Sequence, residues 1–192
     1  MIMYMNIVIA SDLHLALTDK SQLEELFMTI QENRDHLIQY LSWVEGMTSL
    51  EPLAAYIDQC DYNYWAGTDI SFVIVYQEKI VGRIGLHYIN RHNRNGAIGY
   101  WLKKSVEGKG IISACCKKLI DYAFEKVGLE RLELKAAVQN QRSRSVAERM
   151  GFQQEGIMRN AEIVNGTFND LVLYAMLKED WEQARRDEIH AI

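Results

Sequence analysis

The 192-residue sequence has one proline, three cysteines, no run of basic residues, no low-complexity tract and no internal repeat. Each shortage excludes something. With Pro52 alone and no glycine- or serine-rich stretch, nothing marks a linker, so residues 1–192 read as a single continuous domain. Cys60, Cys115 and Cys116 cannot build an even disulfide framework and lack zinc spacing, which fits a reducing, cytoplasmic compartment and no metal site. A formal charge of −5 without clustered Lys and Arg argues against nucleic acid as a partner, because phosphates are neutralised by clustered cations. The start, MIMYMNIVIASDLHL, is apolar but has no basic lead and is broken by Asp12 and His14, so it reads as a strand rather than a secretion signal. No apolar run approaches the roughly 18 residues of a membrane span.

What remains can fill a large core, since hydrophobic residues make up 48% of the chain. After the first strand, Thr18 can cap a helix carrying Leu23, Leu26, Phe27 and Ile30, and Leu37, Tyr40 and Leu41 suggest a short second one. Pro52 suits the first turn of a third helix reaching about Tyr64. ISFVIVYQEKIVGRIGLHYI reads as a hairpin turning at Gln77, Glu78 and Lys79. A second turn, RHNRNG, in which Asn95-Gly96 supplies residues tolerant of positive φ, leads into the strand AIGYWLKK. Ile112, Cys116, Leu119, Ala123 and Val127 follow helical spacing from about Gly110 to a stop at Gly128. RLELKAAV alternates as a half-buried strand, Asn140 can cap a short helix, and two final strands flank the turn VNGT. The order is strand, helices, three antiparallel strands, helix, strand, helix, two strands, which is a mixed α/β architecture.

The segment SVEGKGIISACCKKLIDYAF, residues 105–124, joins the end of a strand to the start of a helix. Free backbone N–H groups and the helix dipole make such a junction favourable for an anion, and glycines let a phosphate approach the backbone. Neither of the two best-defined glycine motifs is present: there is no G-x-x-x-x-G-K-[ST] and no G-x-G-x-x-G after a strand.

Taken with GYWL, the helix that follows, AAVQNQRSRSVAERMGF and AEIVNGTFNDLVLYAML, this segment resembles the acetyl-coenzyme A-dependent N-acetyltransferase (GNAT) superfamily. Within it, the early YLSWVEG makes the chain most similar to the ribosomal-protein N-terminal acetyltransferases. The resemblance spans nearly the whole chain. It implies a central, mixed, mostly antiparallel sheet of six to seven strands with helices on both faces. It also implies acetyl-CoA as co-substrate, bound by Gly108, Lys109, Gly110, Ile111 and Ile112, by Asn140 and Ser143, and by the backbone of Trp101 and Leu102 pairing with the pantetheine arm. The family loop has the form Q/R-x-x-G-x-G/A. Gly110 matches it, whereas Glu107 replaces the Gln or Arg and Ile112 the final Gly or Ala. Ile112 is tolerable if it faces the helix-packing stripe, and Glu107 only if it turns to solvent or to a cation, because a carboxylate repels a pyrophosphate.

Acetyl transfer to an amine needs a neutral amine, a donor for the oxyanion, a proton for the leaving thiolate and fixed geometry. By resemblance, Ser143 protonates the thiolate and Glu162 is the general base, with Tyr174 an alternative acid and Asp170 an orienting residue. Cys115 and Cys116 sit within a helix with no nearby histidine, so direct transfer is expected rather than an acyl-enzyme. The implied acceptor is a protein N-terminus, ribosomal or other, with Trp43 walling its site and Glu45, Glu51 and Asp58 suited to a cation. A small amine such as a polyamine or an antibiotic is the alternative, as is a CoA-binding module without catalysis, and a homo-oligomer is consistent with the aromatic DYNYWAG.

Overall fold

In the computed structural model, residues 6–190 are described, so the first five residues of the expected N-terminal strand lie outside it. The strand expected over MIMYMNIVIASDLHL is a hairpin: β1 (Asn6–Ala10) pairs antiparallel with β2 (Leu13–Leu17). Asp12, which interrupts the apolar pattern, is the turn, and its carbonyl accepts from the Gln77 amide at 2.8 Å. β3 (Ile70–Tyr76), β4 (Lys79–Asn90), β5 (Asn95–Leu102), β6 (Arg131–Ala137), β7 (Gln153–Val164) and β8 (Thr167–Leu177) complete one eight-stranded sheet, ordered β1-β2-β3-β4-β5-β6-β8-β7. Among the described residues, only β5 and β6 pair in parallel. The sheet is therefore mixed and mostly antiparallel, with one strand more than the sequence suggests, because the N-terminal segment folds back on itself.

Helices α1 (Leu23–Glu32), α2 (Arg34–Leu37) and α3 (Leu50–Ala66) cover one face, where Leu26, Ile30, Leu53 and Ile57 meet Val73, Ile80 and Trp101 of the sheet. On the opposite face α4 (Ile111–Tyr122) and α5 (Gln141–Arg149) pack against Phe72, Ile74, Ile84, Leu86, Leu134 and Tyr174. Strand periodicity sorts the two cores: Phe72 and Ile74 point to one face and Val73, between them, to the other.

Local chemistry corrects four expectations. Thr18 does not cap: it is 5% exposed and its N–H donates to Ser71 O, which prolongs the β2–β3 ladder. Asp19 caps instead, in a capping box with Gln22 at the head of a 3-10 turn (Lys20–Gln22) that leads into α1. The second hairpin turns at residues 91–94, with Arg94 at φ 53°, while Asn95 already pairs with Asn90. The α4 stripe starts at Ile111 rather than Ile112, continuing through Cys115, Cys116, Leu119 and Ile120, and after a π-type turn (Ala123–Val127) Gly128 ends it at φ 77°. Finally, α6 (Lys178–His190) follows β8; its polar sequence hides it, and it is docked by Trp181, whose ring lies 5.3 Å from that of Phe124 and whose Nε1 donates to Asp121 at 3.0 Å.

Candidate active site

β5 and β6 share ladder pairs only from Asn95↔Arg131 to Ile98↔Leu134. Beyond that point β5 continues to Leu102 beside β4 alone, and β6 continues to Ala137 beside β8 alone. The two strands part, and among the described residues the β6-facing backbone edge of Gly99 to Leu102 has no strand beside it. An exposed strand edge inside a cleft is what an extended ligand arm can pair with.

The gap opens into a cavity of about 1890 Å³. Trp101, Leu102, Gly108, Gly110, Ile111, Ile112, Asn140, Ser143 and Glu162 all line it, so residues far apart in sequence meet at one place. Lys109 does not: its ammonium turns to the Tyr76 ring, 5.6 Å from the centroid. Gly108 and Gly110 sit at φ 76° and 78°, and a Cβ at either would meet nothing within 4 Å. Their requirement is conformational rather than steric, since the left-handed region disfavours side chains, and the space before the loop is open. Gly110 is the N-cap of α4, so the first amides of that helix face this space.

Glu107 resolves the electrostatic difficulty of the loop. Its Oε1 is 2.9 Å from His36 Nε2, and its Oε2 accepts from Arg142 Nη1. The carboxylate is held between α2 and the first turn of α5 by His36 and Arg142, so the position of the family's Gln or Arg serves as a tie between elements.

Asn140 caps α5, its Oδ1 accepting the Ser143 N–H at 3.1 Å. Ser143 has a partner that the sequence does not announce: Tyr100 Oη lies 3.0 Å from Ser143 Oγ, so a β5 tyrosine orients the hydroxyl across the cavity. Burial pushes the Tyr100 phenol above its ordinary range, and it stays protonated as a donor. Tyr174 is not in the cavity. It is fully buried, donates to Glu148 Oε1 at 3.0 Å and accepts from Arg144 Nε at 3.1 Å, and so is a core residue that holds α5 to β8.

Glu162 stands on β7 at the cavity wall, half-buried and, among the described residues, without a hydrogen-bond or ion-pair partner. Burial raises its carboxyl above the usual range. The strand carrying it is irregular between Met158 and Glu162, with Asn160 at φ 49°, and Asp170 Oδ1 accepts the Asn160 N–H at 2.8 Å. Asp170 of β8 thus ties down the irregular segment that precedes Glu162. Trp43 lines the cavity, with its ring 6.3 Å from that of Trp101. Beyond these two tryptophans the cavity extends beneath α3, past Tyr56, Cys60, Ser71 and Arg83. Cys115 and Cys116 are buried in α4 and their thiols are raised, Cys115 to about 12, so neither offers a thiolate.

Residues 12–153 match the acetyltransferase (GNAT) domain family. The chain is 40% identical to YdaF of Bacillus subtilis (strain 168), named as a candidate ribosomal N-acetyltransferase, over 86% of this chain and 91% of that one. It is 30% identical to the ribosomal-protein-serine acetyltransferase of Escherichia coli (strain K12), over 89% and 96% of the two chains. Among solved structures it is similar to RimL, a ribosomal L7/L12 alpha-N-protein acetyltransferase in complex with coenzyme A, with a TM-score of 0.88 and 29% identity over 92% of this chain and 99% of that one. With the parted strands, the glycine loop at the helix head and these likenesses together, the chain belongs to the GNAT family of acetyl-CoA-dependent N-acetyltransferases.

Proposed function

We propose that this protein moves the acetyl group of acetyl-CoA directly to the α-amine of a protein N-terminus, a ribosomal protein being the class that the relatives' names indicate. The observation that carries the reading is the opening between β5 and β6, which leads from the α4 amides to a cavity holding both an acid and a base candidate. In this reading the β5 edge at Trp101 and Leu102 takes the pantetheine arm, Gly108 to Ile112 and Asn140 hold the phosphate end, and Lys109 contributes only long-range charge. Glu162 accepts the proton of the incoming amine. The amine nitrogen forms a bond to the acetyl carbon, the carbon–sulfur bond breaks, and Ser143, held by Tyr100, supplies the proton to the thiolate. Buried, unpaired cysteines favour direct transfer over an acyl-enzyme.

No helix of the described residues is long and apolar enough to cross a membrane; the reading is of one acetyltransferase domain working in the cytoplasm, where the ribosomal proteins in the relatives' names would be met. The test is an acceptor panel of serine- and alanine-initiated peptides, the same peptides with blocked N-termini, and spermidine, assayed with acetyl-CoA and mapped by mass spectrometry. Acetyl on the free α-amine alone is the expected outcome. Transfer to spermidine in preference to every peptide would instead establish the small-amine activity.

A further inference from the structure

Arg83 is the one residue of the buried β4 stretch Ile80–Leu86 that carries a charge. It is 8% exposed, and a guanidinium cannot shed its proton to relieve burial, so its charge calls for a counter-ion. Among the described residues, the fold supplies none. Nη2 donates to Ser71 Oγ and to Cys60 Sγ at 3.5 Å, and the guanidinium lies 4.5 Å over the Tyr56 ring, all neutral groups. Nε is buried without any partner. The acidic groups that line the cavity are elsewhere: Asp69 accepts from Asn63 and the Tyr88 amide, Glu107 is tied to His36 and Arg142, and Glu162 is on β7.

A second orphan stands beside it. Trp101 is the register partner of Arg83 across the β4–β5 ladder, so the two side chains leave the same face of the sheet. Trp101 is also 8% exposed, and among the described residues its indole Nε1 is the other buried nitrogen donor without a partner. Both residues line the cavity on the α3 side, away from the glycine loop. Buried donors are almost always satisfied, so two neighbouring unpartnered ones on residues that line the same cavity point to a group that arrives with the substrate. A single negative charge and two acceptor oxygens balance one guanidinium and one indole N–H, and a carboxylate has both.

We infer that Arg83, with Trp101, receives a carboxylate carried by the acceptor. The preferred substrate is then an amine with a carboxylate close by, either an acidic side chain in the first few positions of a peptide or the α-carboxylate of a free amino acid. The inference rests on the amine-acetylating reading above and adds the substrate's charge to it. Arg83 acts on specificity, in KM rather than kcat.

The test compares peptides with one glutamate placed at position two, three or four against the same peptides with glutamine, and serine against serine amide. Wild-type protein is expected to favour one glutamate peptide, or serine itself, by tenfold or more in kcat/KM, with the difference in KM. Arg83→Met is expected to bring that ratio close to one, and Arg83→Lys, which keeps the charge but loses the fork, to leave part of it. Binding of the same ligands to CoA-saturated protein, followed by calorimetry, separates the two claims. A preference for the carboxylate that vanishes in Arg83→Met, with no turnover of any acceptor, would refute the transferase reading and leave this one standing. Equal binding of charged and neutral ligands by the wild type, or a preference unchanged in both variants, would overturn the role of Arg83.

Discussion

Replacing Glu162 by glutamine is expected to lower kcat/KM by about 10²–10⁴, the usual contribution of a general base, without destabilising the protein. Stability follows from the sign of the shift. The folded-state pKa of Glu162 is raised by burial, so its contribution to stability is present below the unfolded value and is lost as pH rises through the folded one. At neutral pH the charged carboxylate is therefore a burden, and the melting temperature of Glu162→Gln should equal or exceed that of the parent. The pH profile supplies the second readout. Wild-type activity falls as pH drops through the raised Glu162 pKa, because the base must be ionised. In the variant that limb is lost, and activity follows ionisation of the amine, which is half neutral near pH ~7.7–8.0. Unchanged turnover in Glu162→Gln would remove it from the mechanism.

Ser143→Ala carries the other large effect, a fall in kcat of about 10²–10⁴ if its hydroxyl protonates the thiolate. Tyr100 makes the prediction sharper. Its hydroxyl bonds Ser143 Oγ at 3.0 Å and donates to the Ser143 carbonyl at 3.4 Å, and its ring packs partly buried against the larger core, so Tyr100→Phe removes its hydrogen bonds to Ser143 and little packing. A loss of roughly tenfold, about 1.4 kcal/mol, is expected from the misoriented serine. The double variant Tyr100→Phe with Ser143→Ala should be no slower than Ser143→Ala alone, since Tyr100 acts through the serine. Multiplicative losses would show instead that Tyr100 touches the reacting groups itself. Steady-state rates at saturating acetyl-CoA decide between these outcomes.

How much of this is legible in the chain depends on the range of the interaction. Helical spacing places α4, alternation places β6, and Asn165-Gly166 turns β7 into β8 with both residues at positive φ, because each depends on near neighbours. Gly108 and Gly110 are read as an anion loop for the same local reason. What escapes is set by distant partners. The turn at Asp12 is fixed by the Gln77 amide and α6 by Trp181 on Phe124; neither contact has a local pattern. Glu107 reads as a defect in the loop until His36, 71 residues away, and Arg142 are seen to hold it. Tyr100 looks like any strand aromatic, and Arg83 like an ordinary strand charge. The one available hint for Arg83 is a lone arginine in an apolar strand whose two faces are both covered, which demands a partner that the sequence does not name.

The central claim is that the parted strands and the left-handed glycines at the head of α4 hold acetyl-CoA. Calorimetric titration with acetyl-CoA, run on the wild type and on Gly110→Val, tests it most directly. A β-branched residue at φ 78° costs about 1–3 kcal/mol in backbone strain, and a loop that relaxes to relieve it turns its amides away from the ligand. The account predicts saturable one-to-one binding by the wild type and a Kd at least tenfold weaker in Gly110→Val, with both proteins folded. Absence of binding by the wild type, or equal affinity in the two proteins, would contradict it.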